Sequence, residues 1–85
     1  MKHFFKEYYE LQQAVEDDYN NHLMNLVPDG MLPIKKVYLM TKEVDSLCST
    51  LLSSASDVNL FETRIRLNIA RHTLNFYLAQ LEEVL

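Results

Sequence analysis

The chain has 85 residues, 48% of them apolar, with a formal net charge of -4, one glycine, two prolines and one cysteine. That length allows one domain with a small core, and a lone Cys48 excludes an intrachain disulfide and with it the secreted disulfide-knot class. The acidic balance argues against a general nucleic-acid binder, and Pro28, Gly30 and Pro33 are too few turn residues for an all-β domain.

The first predicted helix covers about residues 2–27. Phe4, Tyr8, Leu11, Val15, Tyr19, His22 and Leu26 recur at spacings of three and four, which marks one helical face. Glu7, Glu10, Ala14, Asp17 and Asn21 fall opposite. Phe5 and Tyr9, with Leu23, flank the stripe and either widen the core or form a secondary aromatic patch for a partner. Asp18 and His22 sit one turn apart and are expected to hydrogen-bond; as metal ligands they would be half a site. Pro28 stops the helix by disfavouring helical geometry in the residue before it. The turn covers residues 28–32, with Gly30 free to take positive φ.

The second predicted helix covers about 33–53 and opens on Pro33, whose missing N–H costs nothing in a first turn. Its expected core stripe is Ile34, Val37, Met40, Val44, Leu47 and Leu51, widened by Thr41, Cys48 and Leu52. Lys35, Lys36, Lys42, Glu43, Ser46, Ser49 and Thr50 take the wet side. A short linker, 54–57, follows, where serines and an aspartate compete for backbone hydrogen bonds.

The third predicted helix covers about 58–85, with Asn59 and Glu62 spaced as a capping box. At about 100° per residue it shows two apolar stripes. Leu60, Leu67, Ala70, Leu74, Leu78, Leu81 and Leu85 form a leucine seam, assigned to the intramolecular core. Val58, Phe61, Ile65, Ile69 and Phe76 form the other, with Arg64 and His72 at its rim. A helix in a simple bundle needs one stripe. The second is therefore expected to meet a second copy or a heterologous protein; the alternative is that the first two helices cover both stripes.

The expected architecture is all-α: three long antiparallel helices, up-down-up, forming a homodimeric helical bundle. No Gly-rich phosphate loop, G-x-S-x-G, H-E-x-x-H or C-x-x-C motif is present, so no catalytic residue, metal or cofactor is assigned. No apolar run of signal-peptide or membrane-spanning length occurs, and the expected location is the cytoplasm, away from membranes. The expected function is that of a non-enzymatic regulator or adaptor working through helix surfaces. One alternative is an acidic inhibitor of a nucleic-acid-handling or defence enzyme from a mobile element, using Glu16, Asp17 and Asp18. The other is a helical dimeric DNA-binding regulator, using Arg64, Arg66 and Arg71.

Overall fold

The computed structural model describes the backbone of residues 2–53 and 57–85 and the side chains of residues 6–53 and 60–85. Three α-helices make up the described chain: α1 (Lys2–Leu26), α2 (Pro33–Ser53) and α3 (Asp57–Val84). The expected capping box, the linker serines, and the side chains of Phe4, Phe5 and Val58 lie outside the described residues.

The connection between α1 and α2 follows from its three punctuating residues. Val27 N–H closes the last turn of α1 on Leu23 O at 2.8 Å. Met31 N–H then reaches Pro28 O at 3.4 Å, and Gly30 takes φ 87° at the third position of that turn. Positive φ there is the type II geometry, which glycine adopts without Cβ strain. Leu32 O accepts from Lys36 N–H at 3.1 Å, so Leu32 caps α2 and Pro33 fills its first helical position.

The helices form an elongated bundle of 50 × 27 × 19 Å with a radius of gyration of 14.9 Å; a compact chain of this length would have about 12 Å. α3 packs most closely on α2 and less on α1, while α1 and α2 touch each other least. α3 is thus the central helix. Its exposed arc is mainly polar, with Arg64, Asn68, Arg71, His72 and Asn75, and also carries Phe76 and Leu78.

The core gathers Tyr19, Leu23 and Val27 from α1 and the residue after it, Met40 from α2 and Ala70 from α3. Met40 and Ala70 are both 0% exposed. Leu39, Val44, Leu47, Ile69, Leu74 and Tyr77 pack around them. A flexible thioether fills irregular space in a core, and an alanine leaves room for its neighbours.

Two expected stripes are rotated. On α1, Leu11 and His22 are exposed while Leu23 and Val27 are buried, so the packing face lies toward Leu23. On α2, Ile34 at the start of the expected core stripe is exposed, whereas Leu39, outside that stripe, joins the core. Each rotation has the same cause. A peripheral helix packs on α3 and, over a shorter length, on the other peripheral helix, so its buried arc is the sum of two contacts and not the single stripe that periodicity picks out.

Candidate functional site

The two peripheral helices lean on α3 but hardly on each other, and that leaves a cleft between them. Asp18, Tyr19 and His22 of α1 form one wall, Glu43 and Leu47 of α2 the other, and Arg66 of α3 the floor. Its volume is about 200 Å³.

Glu43 collects the α1 side. Tyr19 Oη donates to Glu43 Oε1 at 2.9 Å, and His22 Nε2 lies 3.8 Å from the same oxygen. The Tyr19 and His22 rings stack with centroids 5.6 Å apart. Arg66 collects the floor: its Nη2 stands 3.9 Å from Asp18 Oδ2 and 3.9 Å from Glu62 Oε2. Those separations are ion pairs without hydrogen-bond geometry. Arg66 Nε is buried and has no hydrogen-bond partner among the described residues.

Burial pushes the Tyr19 hydroxyl far above its ordinary pKa, and the hydrogen bond to the Glu43 carboxylate and that group's charge add to the rise. Tyr19 is therefore held as a neutral donor, and its chemistry is that of a clasp between helices. Cys48 stands apart from this cleft on α2. Among the described residues no group of three or more His, Cys, Asp or Glu is placed to hold a metal ion.

His22 was expected to bond Asp18 at the core edge; instead it is half-exposed and faces Glu43, while Asp18 faces Arg66. Glu43, expected on the wet face of α2, and Arg66 are the residues that hold the cleft together. The sequence signal for Glu43 is Leu39 one turn earlier, an apolar residue that the expected stripe leaves out.

The second apolar stripe of α3 divides along its length. The Phe61 ring lies 5.0 Å from that of Tyr8 on α1. Ile65 is 8% exposed and Ile69 packs on the core, so both belong to the chain's own interior and not to an open face. Phe76 is 60% exposed and beyond that cover, its ring 5.9 Å from Tyr77. Arg64 and His72 are exposed on the polar arc. Val58 and Phe5 lie outside the described side chains, and Tyr9 is exposed with its ring edge against Tyr8.

An open apolar row that the α3 pattern did not point to runs along α2. Ile34, Tyr38, Thr41, Asp45, Cys48 and Leu52 follow one another at spacings of four and three and share one face. Ile34 is 64%, Tyr38 57% and Leu52 89% exposed. Glu43, which meets α1, falls almost opposite this row, so the row is on the outside of the bundle. Lys42 Nζ sits 4.8 Å from the Tyr38 ring centre at its edge.

No helix among the described residues is long and apolar enough to cross a membrane. No protein-family model, curated protein sequence or solved structure matches this chain.

Proposed function

We propose that this chain is a non-enzymatic regulator or adaptor that works by binding protein through helix surfaces, as a homodimer, with a heterologous protein, or both. The observation that carries this reading is the surface left after folding. The chain exposes 6539 Å², whereas a compact monomer of about 10 kDa exposes about 5,200 Å². The surplus of roughly 1,300 Å² goes with the elongated shape, which leaves helix faces open. Part of it is the large apolar side chains of the α2 row and of Tyr8, Tyr9 and Leu11 on α1.

The proposed arrangement is up-down-up. Supporting it, Lys36 early in α2 lies over the Tyr77 ring late in α3, while Leu47 later in α2 lines the same cleft as Arg66 earlier in α3. Tyr8 and then Asp18 on α1 meet Phe61 and then Arg66, in ascending order.

The cleft fits this reading as a clasp that sets the angle between α1 and α2. Glu16, Asp17 and Asp18 of α1 have local partners: Gln12 Nε2 reaches Glu16 at 3.3 Å, Gln13 Nε2 reaches Asp17 at 3.0 Å, and Asp18 faces Arg66.

Affinity capture from the source cells, with the native chain and with a triple Tyr9→Ser, Tyr38→Ser, Leu52→Ser variant of native helical content, tests the proposal. Specific proteins, the chain itself included, retained by the native form and lost by the variant are expected. Equal retention by both would overturn it.

A further inference from the structure

The α2 row reads the same from either end. It begins with two exposed apolar side chains, Ile34 and Tyr38, passes through polar Thr41 and Asp45, and ends with Cys48 and Leu52. Laid antiparallel against a second copy about a twofold axis, it brings Ile34 opposite Leu52, Tyr38 opposite Cys48 and Thr41 opposite Asp45, each pair occurring twice. That self-complementarity is what a twofold interface requires. We propose that α2 pairs antiparallel with α2 of a second copy of this chain in this register, an inference that rests on the interaction-module reading.

Charge selects the same arrangement. Lys42 borders the row over the Tyr38 ring, and in the antiparallel register it stands beside Asp45 of the second copy. A parallel pairing would set Asp45 against its own equivalent. Thr41 and Asp45 are the polar centre of the row. Thr41 Oγ1 already bonds Val37 O at 2.8 Å, so its hydroxyl demand is met within its own helix and the centre can close against a neighbour. The row is about 27 Å long at 1.5 Å per residue, and three of its large apolar side chains, Ile34, Tyr38 and Leu52, are open to solvent.

The native cysteine makes the register measurable. In the proposed dimer the two Cys48 residues are displaced by about 15 Å along the axis and cannot join. A Tyr38→Cys substitution puts a second thiol directly opposite Cys48 of the other copy, within disulfide reach, while the two thiols of one chain stay about 15 Å apart on their helix. Sedimentation equilibrium of the native chain at high micromolar concentration is expected to give a dimer, and Leu52→Lys a helical monomer. Oxidation is expected to give a covalent dimer of Tyr38→Cys, but not of the native chain or of Tyr38→Cys combined with Cys48→Ser. A native monomer, or no faster cross-linking of Tyr38→Cys than of that double variant, overturns the proposal. If the native chain is a monomer and Leu52→Lys loses a captured heterologous protein, the dimer fails and the interaction reading stands. If Leu52→Lys and the triple variant both retain every captured protein, both fail.

Discussion

Tyr19 Oη donates a 2.9 Å hydrogen bond to Glu43 Oε1, and this contact ties α1 to α2 where the two helices otherwise touch least. The phenol is almost fully buried and its acceptor is a carboxylate. Tyr19→Phe keeps the ring and removes the bond. It is expected to lower unfolding stability by about 1.5–3 kcal/mol, read as a lower urea midpoint at unchanged m-value. Glu43→Gln, which keeps an acceptor oxygen, should lose less.

The same contact sets a pH dependence. Tyr19 and Tyr77 both have pKa values raised by burial, with Glu43 adding at Tyr19 and Asp29 at Tyr77. The folded chain therefore keeps protons that the unfolded chain releases above about pH 10. Their contribution is fully present below that pH and is lost progressively as pH rises toward the folded-state values. Urea unfolding at about pH 8 and about pH 11 should show a drop, and the drop should shrink in Tyr19→Phe.

Met40 and Ala70 are the two fully buried residues of the core cluster. Met40→Ala should cost about 2–5 kcal/mol by leaving a cavity. Ala70→Leu should cost about 1–3 kcal/mol or more by forcing α3 outward. At about 4–8 °C per kcal/mol for a domain of this size, both shifts are plain in a thermal melt.

The divided stripe of α3 predicts unequal effects from similar-looking residues. Ile65→Ala should cost about 2–4 kcal/mol, because Ile65 is inside the chain. Phe76→Ser should change stability by no more than about 0.5 kcal/mol, because that ring is open to solvent. Equal losses in a paired denaturation series would contradict the placement.

Gly30 holds φ 87° with nothing within 4 Å of where a Cβ would stand. Gly30→Ala should therefore cost about 1–2 kcal/mol through backbone strain alone, and Gly30→Asn less, since asparagine tolerates this region better. Thermal melts of the two variants check the order.

Much of this architecture was legible in the chain. Pro28 and Pro33 bracket the turn between α1 (Lys2–Leu26) and α2 (Pro33–Ser53). The double stripe of α3 marks a helix with neighbours on more than one side; the leucine seam supplies Ala70 and Leu74 to the core, but its Leu78 and Leu85 are exposed. The identity of the neighbour was not legible. For Ile65 and Ile69, an interface and the chain's own interior both fit the pattern, because periodicity reports that a face is apolar and not which helix covers it. His22 and Glu43 were misplaced for a related reason. A polar residue can lie in a helix–helix contact when its partner comes from another helix, as Tyr19 does for Glu43, and no local spacing records that pairing. The α2 row is not legible from spacing, because periodicity places Ile34 in the core stripe and Leu52 at its border, although both belong to the next face round the helix.

The central claim is that α3 is held between α1 on its Phe61 and Ile65 side and α2 on its Tyr77 side. A NOESY spectrum tests it most directly, through cross-peaks from the Phe61 ring to Tyr8 and from the Tyr77 ring to the Lys36 side chain. Both are expected together, with Ile65 side-chain signals shifted by ring currents or by burial. A spectrum that holds the Tyr77 to Lys36 peaks but lacks any from Phe61 or Ile65 to α1 would contradict it.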